Sequence, residues 1–362
     1  MAEVVMTSFV INIVVIAVSF IVLNWSSNLT ISNALKVSSS TQLGKTSIGF
    51  SLIAFSTSLP ELTVALAASL SNGSGLSVGN VLGSNIVNIS IVLGIGALLL
   101  HLKKIKGKLS FKQFFLHLGS HLKPRKGSKD TNGINVISSF AKSELSSIYF
   151  GLFVASIVPM ILIYISNATW AVGLILLFIF VGYMYQLSRV RIPGENGKIL
   201  KESKKNLSRY VGLTIAGALG VVVSAYFLVE SAVSIATSFS ISQQVIGATI
   251  IAVGTSLPEL TIGLKAFLQG HPGLAIGDII GSSFVNITLI LGITFFVPWL
   301  IGSPIILRAN IFENLVIFSI LTNLFFWYFL SREKIGWREG AIFLFIYILF
   351  IISNIGSSAQ II

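Results

Sequence analysis

A stretch of 46 residues occurs twice in this chain, and the charge around the two copies is reversed. Residues 49–94 read GFSLIAFSTSLPELTVALAASLSNGSGLSVGNVLGSNIVNISIVLG. Residues 247–292 read GATIIAVGTSLPELTIGLKAFLQGHPGLAIGDIIGSSFVNITLILG. They align without a gap at an offset of 198, and half of the positions are identical. Each copy holds a glutamate, Glu61 or Glu259, directly after a Ser-Leu-Pro turn in an otherwise apolar run. Each also holds Gly-Ser-x-x-x-Asn downstream, with Ser84 and Asn88 in the first and Ser282 and Asn286 in the second. A duplicated apolar segment with interrupted helices at matching places points to a transporter's binding site at the bilayer midplane.

Composition sets the surroundings of that repeat. Hydrophobic residues make up 54% and charged residues 10%, against roughly 25% charged in an ordinary soluble domain. That excludes a soluble globular protein and gives an all-α polytopic membrane protein. Cysteine is absent, so no disulfide framework or thiol chemistry arises. His101, His117, His121 and His271 lie in polar stretches, which argues against a zinc site in the apolar body. The net charge of +12 does not imply a nucleic-acid partner, because basic excess in a membrane protein reports its cytoplasmic loops.

The apolar runs predict ten transmembrane helices. The first covers about Met6 to Leu23; Glu3 and no basic residue precede it, so it reads as a retained helix and not a signal peptide. The next four lie near 43–71, 76–100, 146–166 and 170–188. A sixth covers 210–238, and the others lie near 244–268, 274–299, 306–330 and 338–356. With both termini outside the cell membrane, 23 of the 24 basic residues fall on the inner side, and only Arg308 falls outside. Basic residues flank the first copy at both ends, while neutral SNGSG joins its helices. The second copy has neutral flanks, with Lys265 and His271 near its middle turn. An odd number of spans between the copies turns one upside down. The expected plan is therefore two inverted five-helix repeats: 1–190, a cytoplasmic linker at 191–208, and 209–362. Within the polar insertion at 101–145, Leu109, Phe111, Phe114, Phe115, Leu118 and Leu122 fall near helical spacing. An inner-leaflet amphipathic helix and a solvated connector fit that pattern equally well.

The chemistry concentrates at the two kinks. Pro60 has no N–H for the carbonyl four residues earlier, and its ring crowds that turn, so carbonyls near Ala54 to Ser56 must find other partners. Within hydrocarbon such a break survives only where protein or water satisfies it. Thr57 and Ser58 precede Glu61 by four and three residues, on the same helical face. Ser84 and Asn88 stack four apart on the next helix, where Gly79 and Gly83 would let another helix approach. The second copy supplies Ala252, Thr255, Ser256, Glu259, Ser282 and Asn286 by the same logic. Carboxylates, hydroxyls and carbonyls are hard oxygen ligands suited to Ca2+ or Na+. Two buried carboxylates cost several kcal/mol each and need a counter-charge. No lysine or arginine lies within several residues of Glu61, and Lys265 is six residues from Glu259. One divalent cation, or two or more monovalent ones, would balance the pair. Asp278, the counterpart of Asn80, sits near the inner mouth; it reads as a solvated helix start, with a cation lure as the alternative. Glu230 reads as a headgroup-level residue, with a role in lining the outer access path as the alternative if helix 6 moves, and Glu313 as a local partner of Arg308.

TSLPE with GSNIVN, and TSLPE with GSSFVN, resemble the paired alpha repeats of the sodium/calcium exchanger branch of the calcium/cation antiporter superfamily. The motifs cover about a quarter of the chain, and the ten-span plan extends the likeness to the whole. The resemblance implies that Glu61 and Glu259 bind Ca2+ together with backbone oxygens of Thr57 and Thr255. It implies Na+ sites drawing on Ala54, Ser58, Ser84, Ala252, Ser256 and Ser282, with Asn88 and Asn286 lining the centre. It further implies that helices 1 and 6 slide to switch access, and that three Na+ exchange for each Ca2+. No cofactor and no obligatory oligomer are implied; the partners are the two ions and the lipid bilayer.

Two departures bear on coupling. Ser56 stands where the second copy has Gly254 and the family usually has glycine. Some members, including potassium-dependent ones, carry aspartate at the position of Asn286, so this chain leans away from potassium. The proton/calcium branch signature, GNxxE with GSSxQ, is absent, yet glutamates can carry protons and proton coupling stays open. An intramembrane protease would need paired aspartates, a Ser/His dyad or HExxH within the spans, and none occurs. A channel would place its half-sites around an oligomeric pore, whereas both half-sites here lie in one chain.

Overall fold

A bilayer offers no water to backbone amides, so long apolar segments satisfy their N–H and C=O groups internally, as helices. The computed structural model describes residues 2–41, 43, 45–70, 74–106, 134–135, 142–162, 169–189, 206–238, 252–302, 309–332 and 334–359. Six helices within this set are long and apolar enough to cross a membrane. A seventh span arises if the bent pair Lys45–Thr57 and Leu59–Leu66 counts as one; the bend is 44°. The chain is thus an integral membrane protein built of helices.

Helix α1 runs from Ala2 to Thr41, well past the Leu23 boundary expected from hydropathy. Its second half is rich in Ser, Thr and Asn, and stays helical by returning hydroxyl hydrogens to its own backbone. Ser27 Oγ donates to Leu23 O at 2.8 Å, Thr30 Oγ1 to Ser26 O at 2.9 Å, and Thr41 Oγ1 to Val37 O at 2.8 Å. This half packs along α9 (Leu207–Ser238). A Cβ on Gly217 would lie 2.5 Å from Thr30 Oγ1, and one on Gly220 would lie 2.5 Å from Ser26 Oγ. The two longest described helices therefore touch through small residues.

The first repeat is α2 (Lys45–Ile48), a π-helical turn (Gly49–Ile53), α3 (Ala54–Thr57) and α4 (Leu59–Leu70). It continues with α5 (Ser74–Val87), a second π turn (Asn88–Leu93) and α6 (Gly94–Lys106). Then come β1 (Ile134–Asn135), α7 (Lys142–Leu162) and α8 (Thr169–Arg189). The second repeat holds α10 (Ala252–Thr255), α11 (Leu257–Leu268), α12 (Pro272–Val285), a π turn (Asn286–Ile290) and α13 (Leu291–Leu300). Helix α14 (Ala309–Ser331), β2 (Lys334–Ile335) and α15 (Trp337–Ala359) complete the described chain. The expected amphipathic segment at 109–122, Arg308, and most of the 191–208 linker lie outside the described residues.

The two-residue strands pair antiparallel, Ile134 with Ile335 and Asn135 with Lys334, which brings residues 134–135 beside the turn before α15.

Helix α12 forms the centre. Leu274 to Val285 are all buried, with α2, the first π turn, α3, α7 and α11 around them. Glycines make the approach possible. A Cβ on Gly277 would lie 2.2 Å from Thr46 O, and one on Gly281 would lie 2.4 Å from Phe50 O. No described residue lies within 4 Å of a Cβ built on Gly79 or Gly83. The segment that would mirror Thr46 to Phe50 there, 244–248, lies outside the described residues. The close approach expected at Gly79 and Gly83 is thus observed at their counterparts.

Candidate cation site

Both repeats break at the same residue. Ser58 (φ −79°, ψ 10°) and Ser256 (φ −89°, ψ 5°) leave helical geometry just before Leu-Pro-Glu. The next helix starts with proline in its first turn, where a missing N–H costs nothing. The carbonyls crowded by Pro60 are partly re-satisfied. Ala54 O accepts from Ser58 N at 3.0 Å and from Thr57 Oγ1 at 3.2 Å. The second break in each copy is a π turn whose first residue is the motif asparagine, Asn88 or Asn286. π turns of this kind recur at functional sites.

These breaks bring the two repeats together. Glu61 and Glu259 are each 0% exposed and lie within electrostatic range of one another. Ser58 Oγ donates to Glu259 Oε1 at 3.3 Å, joining the first repeat's break to the second repeat's carboxylate. Glu259 Oε2 and both Glu61 oxygens have no hydrogen-bond partner among the described residues. Asn286 Nδ2 donates to Ser84 Oγ at 2.7 Å and to Asn85 Oδ1 at 3.1 Å. Thr255 Oγ1 donates to Asn80 Oδ1 at 3.4 Å. Ser256 Oγ, Ser282 Oγ, both polar atoms of Asn88 and Asn286 Oδ1 are buried without a hydrogen-bond partner among the described residues. Ala54 is buried against α12, and Ala252 opens α10.

Six of the twelve expected residues, Glu61, Glu259, Ser256, Ser282, Asn88 and Asn286, thus hold a buried oxygen without a hydrogen-bond partner among the described residues. Such oxygens are hard ligands by their chemistry. An unpartnered buried carboxylate is costly, and so is an unpartnered amide or hydroxyl oxygen. A cation coordinated by several such groups removes those costs together.

Two residues go beyond the expected set. Asn85, between the motif's serine and asparagine, is buried and accepts from Asn286; its adjacency to Ser84 was the available clue. Asp278 was expected as a solvated helix start, and the structure overturns that. It is 0% exposed, because Gly277 and Gly281 draw α12 against the backbone of the first repeat and enclose what lies between them. Glu230 is exposed. His271, at the turn before α12, has its imidazole pushed below its ordinary value by burial and by nearby Lys45, so these two basic groups mark one end of the assembly.

Near the same end the site is tied to α1. Lys265 Nζ donates to the Asn24 backbone oxygen, to Asn24 Oδ1 at 2.6 Å and to Ser27 Oγ at 3.0 Å. Gln269 Nε2 donates to Asn28 Oδ1 at 2.9 Å. Helix α1 is therefore fastened to α11, which carries Glu259.

Comparison with known proteins agrees with this geometry. The chain is 31% identical over 309 residues to an uncharacterised membrane protein of Methanocaldococcus jannaschii, covering 84% of this chain and 85% of that one. It is 26% identical over 357 residues to the sodium/calcium exchanger MaX1 of Methanosarcina acetivorans, covering 94% and 98%. Its fold superposes on the sodium–calcium exchanger NCX_Mj with a TM-score of 0.73 at 25% identity, covering 95% of this chain and 99% of that one. The family described as sodium/calcium exchanger protein matches residues 11–188 and 209–356. On that coverage the chain belongs to the sodium/calcium exchanger family.

Proposed function

We propose that this protein is a secondary active antiporter that exchanges Ca2+ against Na+ by alternating access, and that it moves net charge. The observation that carries this reading is the meeting of two fully buried glutamates, one from each repeat, at symmetry-related helix breaks. Their combined charge matches one Ca2+. Ca2+ takes six to eight hard oxygens, and the breaks preceding the two glutamates would offer it hydroxyls and carbonyls of Thr57, Ser58, Thr255 and Ser256. Na+ would draw on Ala54, Ser58, Ser84, Ala252, Ser256 and Ser282, with Asn88 and Asn286 supplying uncharged oxygen.

The full architecture in this reading is ten spans in two inverted five-helix repeats, with both termini outside the cell membrane and one chain sufficient for transport. The reversed charge around the copies supports it. Switching would come from α1 and α9 moving together across the rest. Their packing through Gly217 and Gly220 makes them one unit. The Lys265 contacts to α1 would then form and break in each cycle.

The test is 45Ca2+ uptake into proteoliposomes under imposed Na+, H+ or K+ gradients in turn. An outward Na+ gradient alone should drive uptake. Uptake driven by H+ or K+ without Na+ would replace sodium as the coupling ion.

A further inference from the structure

The repeats match at nearly every site residue, but at one position they differ in charge: Asn80 in the first copy is Asp278 in the second. The symmetry around that position is kept. Thr255 Oγ1 donates to Asn80 Oδ1 at 3.4 Å, and the mirror residue Thr57 lies beside Asp278. Thr57 Oγ1, however, directs its hydrogen to carbonyls of its own helix, Ala54 at 3.2 Å and Ile53 at 3.3 Å. Neither oxygen of Asp278 therefore has a hydrogen-bond partner among the described residues, although the side chain is 0% exposed.

A buried ionised carboxylate without partner or counter-charge is not stable in hydrocarbon. The exchange reading leaves it uncompensated, since Ca2+ already balances Glu61 and Glu259. Asp278 is within electrostatic range of Glu259, and lies one helical turn before Ser282, toward the end marked by Lys45 and His271. Among the described residues no three acidic or histidine side chains converge as a metal-holding group. Asp278 therefore does not converge with the two glutamates as one metal-holding group among the described residues. It stands beside the glutamates' site, with Thr57 between.

We propose that Asp278 forms an additional subsite for a monovalent hard cation, adjacent to Thr57 and on one side only of the inverted pair. The inference rests on the exchange reading for the identity of the main site, and adds a third negative charge to it. Asn80, at the mirrored position, offers an oxygen but no charge. The loaded protein would then hold one more monovalent cation than two glutamates call for, on the side of the Lys45–His271 end.

The test uses purified full-length protein in detergent, with the thermal unfolding midpoint titrated separately with NaCl and CaCl2 at constant ionic strength. Ligand binding to the folded state raises the midpoint. Asp278→Asn installs the first repeat's own residue and keeps the volume. It should raise the half-effective Na+ concentration about tenfold or more, as loss of a charged ligand does, and leave the Ca2+ response within about twofold. An unchanged Na+ response would overturn the proposal, making Asp278 a neutral structural group. A weakened Ca2+ response with Na+ unchanged would also overturn it, by assigning Asp278 to the divalent ion. If Asp278→Asn does not fold, Asp278→Ser is read in the same way. Failure of the wild type to respond to Ca2+ at all would instead sink the exchange reading.

Discussion

Ser58 and Glu259 are 201 residues apart, yet the hydroxyl of one donates to the carboxylate of the other at 3.3 Å. The break in the first half thus helps orient the acid of the second. The site therefore exists only when both halves are assembled, and a change in their relative position alters its ligands directly. Hydrogen bonds to charged groups are worth about 1.5–3 kcal/mol. Ser58→Ala should accordingly raise the half-saturating concentration of the transported cation about tenfold or more, measured as 45Ca2+ flux against external Ca2+. Unchanged affinity would detach Ser58 from the site.

Gly277 admits the backbone of α2 at a distance no side chain allows, with Thr46 O 2.2 Å from where a Cβ would stand. Gly277→Ala should destabilise the folded protein by about 1–3 kcal/mol, the usual cost of overpacking. A lowered thermal midpoint in detergent would report it. Gly182→Ala is the control: no described residue lies within 4 Å of its Cβ, and alanine gains up to about 1 kcal/mol of helix propensity over glycine.

Lys265 fastens α11 to α1 through Asn24 and Ser27. If α1 moves in each cycle, Lys265→Met removes contacts that hold one of the two end states. Turnover should rise by up to about fivefold, the scale of one net hydrogen bond, while half-saturating Ca2+ stays within about twofold. Equal losses in both would place Lys265 in the site itself.

The glutamates and their kinks were legible because Pro-Glu inside an apolar run has few uses, and two copies with reversed flanks have fewer. The motif serines, threonines and asparagines followed by symmetry. The burial of Asp278 was not legible. It depends on how closely α12 meets the first repeat, which follows from Gly277 and Gly281 facing Thr46 and Phe50 and not from spacing along α12. The length of α1 was hidden for another reason. Ser, Thr and Asn read as a loop in water, whereas between Leu23 and Thr41 they satisfy themselves on carbonyls four residues back. Asn85 was overlooked because the motif drew the reading to its neighbours at 84 and 88.

Exchange of three Na+ for one Ca2+ moves one positive charge with sodium. Each such charge couples to the membrane potential by about 2.3 kcal/mol per 100 mV. In Na+-loaded liposomes, a valinomycin-clamped inside-positive potential should accelerate 45Ca2+ uptake, after replacement of K+ by choline has shown no effect on exchange. Uptake indifferent to the clamp would mean an electroneutral cycle.

The central claim is that Glu61 and Glu259 are the shared charge of one cation site. The most direct measurement is Na+-driven 45Ca2+ flux in proteoliposomes carrying Glu61→Gln or Glu259→Gln at matched protein incorporation. Glutamine keeps the shape and removes the charge, so each variant should insert normally and lose Ca2+ flux to the level of empty liposomes. Flux close to wild type in either variant would contradict the account.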